Sequence, residues 1–440
     1  MRYLFALLLS AFAALADSPP DLWTRKGGAD WPTFLGPTAN GVSPEQGILT
    51  KWPREGLKVL WEAPMGMGFA PPVVSRGRLF HFDRFGGNNR LTCRNAESGQ
   101  LLWKFEYETD YEDRYGYSPG PRACPVVDDD RVYVYGPEGV LHCLTVADGK
   151  PLWKVDTEKD YHVHQNFFGV GSVPVVDGDL LIVAVGGSPK GSRPVDFREA
   201  KGNGTGIVAF DKRTGKEVYR TTDELASYSS PIVATIGGRR LGLYFARGGL
   251  VAFDPKTGKV DFRFPWRAKI EESVNASNPV VVGDQILITE CYGPGAALLK
   301  VRPGKAEPVW TDAERDREDR ALPCHWNTPI HVGGYVYGSS GRHENEAELR
   351  CVELATGKVM WAEKRLSRST LTLIDGHFLC LTERGELFLV KVNPKKFEPV
   401  AKWVTDLDYP SWGAPVVAHG LMYVRGKDRL ICAELIPAIK

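Results

Sequence analysis

The thirteen residues LRCVELATGKVMW (349–361) carry the feature that most limits what this chain can become. The same phrase returns as LTCRNAESGQLLW (91–103), LHCLTVADGKPLW (141–153), IVAFDKRTGKEVY (207–219) and LVAFDPKTGKVDF (250–262). Each joins two strand-like runs through a turn on glycine and closes on Trp, Tyr or Phe. Ahead of each lies a proline-led apolar run with its own turn, as in CPVVDDDRVYVY, VPVVDGDLLIV, NPVVVGDQILIT and APVVAHGLMYV. Asp-Gly, Gly-Asp and Gly-Gly accept positive φ at little cost, so these runs read as hairpins. Two linked hairpins make one four-stranded antiparallel sheet, with strands A to D. The spacing of about 45 residues is that of propeller blades. A single such sheet cannot bury both faces, so the units must stack and close on themselves.

Eight A-strand phrases occur, but the last unit, from Gly413 to Leu435, stops after its third strand. KVLWEAP (58–64) precedes the first A strand and carries Trp61, so it is the expected fourth strand of that unit. Completing the last blade with an N-terminal strand removes open sheet edges. The prediction is all-β: a single eight-bladed β-propeller over 57–440, with an N-terminal extension at 17–56. Trp61, Trp103, Trp153, Trp310, Trp361 and Trp403 read as wedges between blades, each burying on the order of 200 Å². Cys93, Cys143 and Cys351 stand where Ala209 and Ala252 stand in sister repeats, and Cys432 holds the matching place in the last unit. Exchange of Cys with Ala marks a small buried site. Pairing among Cys124, Cys291, Cys324 and Cys380 stays open at this level.

The first residues, MRYLFALLLSAFAALADSPP, combine Arg2, an apolar stretch from Leu4 to Leu15 and small residues at Ala14 and Ala16. This is the pattern of a secretory signal over 1–16 with cleavage before Asp17. The stretch is shorter than the roughly 20 apolar residues a spanning helix needs, so no membrane span is expected. The expected place is periplasmic or secreted, and the expected state a monomer. Lys plus Arg, 55, nearly cancels Asp plus Glu, 54. With no basic stripe interleaved with aromatics, nucleic acid is excluded as a partner class.

The phrase A-x-D-x-x-T-G-K-x-x-W, met as VAFDPKTGKVDF and CVELATGKVMW, resembles the repeat of quinoprotein-type propellers. That group includes pyrroloquinoline quinone (PQQ) dehydrogenases and the outer-membrane assembly factor BamB. The opening DWPTFLGPTANGVSPE (30–45) resembles the start of secreted PQQ-like propeller proteins. The resemblance covers nearly the whole mature chain and implies the fold more strongly than any chemistry. It implies either a BamB-like scaffold or a PQQ-dependent oxidoreductase of alcohols or sugars. PQQ enzymes use a carboxylate base, a calcium ion on acidic and amide ligands, and often adjacent cysteines over the cofactor. No two cysteines are adjacent here, and Glu272, Glu290 and Glu383 are candidate bases without a motif.

In such a ring the D-to-A and B-to-C connections share the face around the tunnel mouth. The segments before the A strands are polar and aromatic: YGYSPGPRACP, HVHQNFFGVGSVP, ELASYSSP, EESVNASNP, PCHWNTP and YPSWGAP. Loops on a rigid scaffold are where binding residues concentrate. The candidate ligand-binding residues are Arg122, His162, His164, Tyr228, Arg247, Asn275, His325, Trp326, Arg342 and Trp412, and Tyr117 falls on the same face between the arginines. Arginines beside flat rings suit an anionic or hydroxyl-rich small ligand, or an envelope protein. His162, His164 and Cys324-His325 offer nitrogen and sulfur, but without a convergent motif no metal is assigned. PQQ is the one cofactor the family resemblance leaves open, and the expected role is a binding scaffold rather than an enzyme. GGSPKGSRPVDFREAKGNGTG (186–206) reads as an insertion in the B–C turn of blade three, lid or plain solvated loop. DAERDREDR (312–320) reads as a solvated charged face.

Overall fold

The computed structural model describes residues 18–164, 167–193, 199–270 and 273–438. The expected signal segment lies outside them. The described residues form eight four-stranded antiparallel sheets arranged as a propeller. Blade 1 shows the plan: A is Val73–Ser75, B is Arg78–Phe85, C is Asn88–Asn95 and D is Leu101–Glu108. Blades 1 to 7 take their strands in sequence order. Blade 8 consists of Val416–Ala418, Leu421–Arg425 and Arg429–Glu434, with Val59–Pro64 paired outside as strand D. Trp61 lies opposite Cys432 and Pro64 opposite Arg429, so the two ends of the chain close the ring. The expected closure is found.

The local chemistry explains the repeat. Where strands C and D pair, the register slips at the Cys/Ala position: at Cys93/Arg94, Cys143/Leu144, Ala209/Phe210, Ala252/Phe253 and Cys351/Val352. A bulge there turns strand D and aims its closing aromatic at the next blade. The Trp103 indole donates to Val146 O, Trp153 to Lys212 O, Trp310 to Leu354 O, Trp361 to Asn393 O and Trp61 to Ala96 O. Each tryptophan thus ties its blade to its neighbour while burying its ring. Opposite four of these rings stands a fully buried cysteine, Cys93, Cys143, Cys351 or Cys432, whereas Leu298 faces Trp310. All eight cysteines are free thiols, which answers the open pairing question. Burial pushes the Cys93 thiol up to about 12, so it stays protonated and packs as a compact apolar group.

Residues 18–57 form an arm across the face that carries the A–B and C–D turns. Arg25 pairs with Glu434 at 3.1 Å, and Glu45 accepts the backbone N–H groups of His419 and Gly420 at 2.7 and 2.6 Å. Asp375 accepts Gly47 N–H at 2.8 Å. Between these clasps the arm enters the channel and meets the innermost strands. Trp31 exchanges both backbone bonds with Val74 at 2.8 Å, Pro32 O accepts Val127 N–H, and Gly41 and Ser43 bracket Leu373. Trp31 and Leu35 are buried by these contacts.

One detail corrects the reading of DAERDREDR as a purely solvated face. Asp312 is fully buried, accepting the N–H of Ala296 at 3.0 Å and of Ala321 at 2.9 Å, and it anchors the connection from blade 5 to blade 6. A charged run can hide one anchoring carboxylate, because the polarity of the run says nothing about which member turns inward.

Candidate functional site

On the face opposite the arm, the loops entering the A strands bring rings and guanidinium groups together. Trp412, from the loop before blade 8, packs on Phe69 at 4.5 Å and on Trp326 at 4.9 Å between ring centroids. Tyr117 approaches the same indole at 6.4 Å and meets Phe168 edge-on at 5.7 Å. Phe168 in turn lies 5.6 Å from Tyr228, whose hydroxyl accepts the Phe168 N–H at 2.7 Å. On the other side, Trp326 touches His325, and His325 Nε2 lies 2.8 Å from the Tyr292 hydroxyl. Loops of blades 1, 2, 3, 4, 5, 6 and 8 thereby meet in one aromatic belt across the mouth.

Arginines are threaded through this belt. Arg368 lies over Trp326 at 4.6 Å and Trp412 at 5.6 Å, and its Nε and Nη2 donate to Glu383 at distances of 2.7 to 3.1 Å. The Trp412 Nε1–H completes the set by donating to Glu383 Oε2 at 3.0 Å. Arg122 lies 5.4 Å from Phe69 and 5.3 Å from Phe168, and donates to Asp113 at 2.8 Å and to Ser118 O at 3.1 Å. Arg342 covers the Tyr292 ring at 4.6 Å. Guanidinium groups stacked on rings and paired to buried carboxylates give a rigid surface, since each side chain has lost its rotamer freedom already.

Titration follows burial. Burial, and then the charges of Arg368 and Arg342, lower His325 to about 3, so its ring is neutral at ordinary pH. Burial also raises the Glu290 carboxyl, although it accepts the N–H groups of Tyr292, Gly293 and Gly295. Burial raises the Cys291 thiol above its ordinary value, which keeps it protonated.

Of the candidate residues, Arg122, Tyr228, His325, Trp326, Arg342 and Trp412 join this belt. Asn275 does not present its side chain there. It is fully buried, donating to Ala246 O at 2.8 Å and Trp266 O at 3.1 Å, and it binds the end of blade 4 to the approach to blade 5. His162 caps the short helix Thr157–Tyr161 with φ +57°. His164 contacts Ser192 at 3.0 Å, and with the buried Arg247 it lines an off-axis cleft of about 470 Å³, open solvent included. Glu272 lies outside the described residues. Arg368 and Phe168 went unrecognised in the sequence. Arg368 stands in RLSRS, the loop before an A-strand phrase that lacks the usual proline, and loop position was the signal that could have found it.

A calcium-held quinone would need a flat slot and carboxylate oxygens open to the metal. Here the Glu383 oxygens face Arg368 and Trp412, Asp113 holds Arg122 and the N–H groups of Tyr115 and Ser118, and Glu290 holds three amides. The Trp326 and Trp412 rings lie tilted at 47° against one another rather than parallel with a gap between. As arranged, these residues do not fit that group.

A family model described as outer membrane protein assembly factor BamB matches residues 87–363. The chain belongs to the PQQ-like propeller family. A sequence comparison with curated proteins finds no match. Among solved structures, BamB from Moraxella catarrhalis is similar with a TM-score of 0.58 and 13% identity, over 86% of this chain and 98% of that one. The quinohemoprotein alcohol dehydrogenase from Pseudomonas putida HK5 is similar with a TM-score of 0.51 and 13% identity, over 94% of this chain and 81% of that one. At such identity these likenesses speak for the fold. Among the described residues of this PQQ-like propeller, no helix is long and apolar enough to cross a membrane.

Proposed function

We propose that this PQQ-like propeller is an exported, BamB-like scaffold that docks an envelope protein on its aromatic mouth. The observation that carries the reading is the belt of Tyr117, Trp326, Trp412 and Arg368, in which the Arg368 guanidinium and the Trp412 indole N–H are already paired to Glu383. Such a surface offers area rather than a chemical centre. Rigid aromatics and arginines are the residue types that dominate protein–protein hot spots. Tyr115, Tyr117 and Tyr409 remain exposed around it, ready to be covered. The oxidoreductase alternative draws on the likeness to a quinohemoprotein dehydrogenase, and the engaged carboxylates speak against it.

A photo-crosslinking amino acid at Tyr117, and in a second variant at the opposite-face residue Thr214, tests the reading in the producing cell. A discrete adduct with one envelope protein from position 117, absent from position 214 and reduced by Trp326→Ala, supports the scaffold. Saturable quenching of the mouth tryptophans by added PQQ and calcium, together with dye reduction on alcohols or sugars, would overturn it.

A further inference from the structure

The channel wall is half occupied. In the A–B hairpin of blade 1, Val74 is the second residue back from the turn, paired with Leu79, and its free edge takes both backbone bonds from Trp31 of the arm. The matching residue of blade 2, Val127, donates to Pro32 O, and that of blade 7, Leu373, bonds Gly41 and Ser43. In blades 3 to 6 the same register position falls on Val176, Thr235, Val281 and His331. None of these four has a backbone partner on its channel edge among the described residues.

Burial follows the same division. The A strands Val73–Ser75, Val126–Asp128 and Val416–Ala418 are almost wholly buried. Val175–Asp177 is half-buried along its length, Ile232–Ile236 is half-buried or exposed over most of it, and Val281, Val282, His331 and Val332 stay half-buried in blades 5 and 6. An unpaired strand edge is a template for another chain, and its N–H and C=O groups remain to be satisfied.

We infer that the crescent formed by the A strands of blades 3 to 6 binds an extended segment of a partner protein, entering the channel from the arm face. The mode is strand addition to inner edges, as the protein's own residues 31–43 already perform it on the adjoining wall. The crescent continues that interface directly, from blade 2 into blade 3 and from blade 7 into blade 6. Its side chains are mostly apolar, as at Val175, Val176, Ile232, Val233, Val281 and Val282, and its one carboxylate, Asp177, is paired to Arg240, so the fitting segment is rich in apolar and small residues, like the arm's own Trp-Pro-Thr-Phe-Leu-Gly. Among the described residues, a second copy of this chain has no spare segment of that kind, because its arm is seated in its own channel. This site is separate from the mouth and stands or falls independently of it.

The probe is a fluorescein-labelled peptide of residues 30–43, titrated into the full protein by anisotropy. Thr235→Pro with Val281→Pro removes two channel-facing N–H groups at positions where an edge strand tolerates proline. The expected result is saturable binding that the double variant weakens by about ten-fold, from two lost hydrogen bonds. Amide exchange provides a readout that needs no variant: the peptide should protect 175–177, 232–236, 280–282 and 330–332 and leave the D strands unchanged. Absence of saturable binding, protection confined to other strands, or unchanged affinity in a double variant of native melting behaviour would overturn the inference. So would a dimer in sedimentation that the two prolines dissolve, since the occupant would then be a second copy.

Discussion

Gly149 sits face-on against the indole of Trp103, so near that a Cβ on the glycine would lie 2.4 Å from the ring. Its φ of +72° is also one that side chains with a Cβ rarely adopt. The turn glycine of one blade and the closing tryptophan of the blade before it therefore form a single contact. The same pair recurs as Gly215 on Trp153 and Gly357 on Trp310. It is the physical content of the repeated phrase: glycine is needed where the neighbour's ring must lie.

Gly149→Ala is expected to destabilise the protein by about 2–4 kcal/mol, summing left-handed strain and an overpacked contact. Gly178, with φ +61° and open space around it, provides the control, because Gly178→Ala meets strain alone and should cost about 1 kcal/mol. Urea denaturation of the two variants side by side checks both values. Equal losses would show that the ring contact is dispensable.

Removal of one half of the buried ion pair at the mouth should be severe. Arg368 is largely buried and Glu383 wholly so, and Glu383→Gln strands the guanidinium against two indoles. A loss of about 3–5 kcal/mol is expected, whereas replacing Arg368 and Glu383 together with Met and Leu should restore much of it. A double-mutant cycle in urea measures the difference.

Acid should unfold the protein through its buried histidines. Burial lowers His81 and His325 to about 3 and His142 to about 4, while each is near 6.5 in the unfolded chain. Between those limits the unfolded chain binds protons that the native ring refuses, so this stability is complete above pH 6.5 and lost as pH falls. Each histidine contributes a slope of about 1 kcal/mol per pH unit in that window. His81→Gln should flatten the fall of the urea midpoint between pH 6.5 and 4, and an unchanged slope would rule His81 out as a source.

Glu45 carries the arm's clasp on blade 8, accepting three backbone N–H groups from Ala29, His419 and Gly420. Glu45→Ala leaves those donors unmet and should cost about 2–3 kcal/mol. Limited proteolysis should then cut within residues 18–57 well before the ring itself. Cleavage at the wild-type rate would mean that Arg25, Asp375 and the Trp31–Val74 bridge hold the arm unaided.

The ring, its closure by Trp61 and the wedge tryptophans were legible because each repeats about every 45 residues, and repetition exposes a packing rule that one copy would hide. The mouth was legible as a loop class but only in part as a site. Arg122, His325, Trp326 and Trp412 announce themselves by type and position, and six of the candidates meet in space. Asn275 has the same credentials and turns inward to hold Ala246 O and Trp266 O, because an amide in a D-to-A loop serves backbone satisfaction as readily as a ligand. The motif at 30–45 gave no hint of lying inside the channel. Its pairing with Val74, Val127 and Leu373 depends on edges supplied by three distant blades, and no local pattern encodes that.

Glu62 meets Arg429 only after 367 further residues have been added to the chain. The ring has no covalent seal, so blade 8 cannot exist, and blade 1 cannot be flanked on both sides, until the final strand has been made. A chain cut short by even its last dozen residues keeps the opening strand without a mate, a sticky edge that invites aggregation or degradation. The clasp at Trp61 and Cys432 therefore acts as an assembly check, admitting to the folded state only molecules that carry both of these strands.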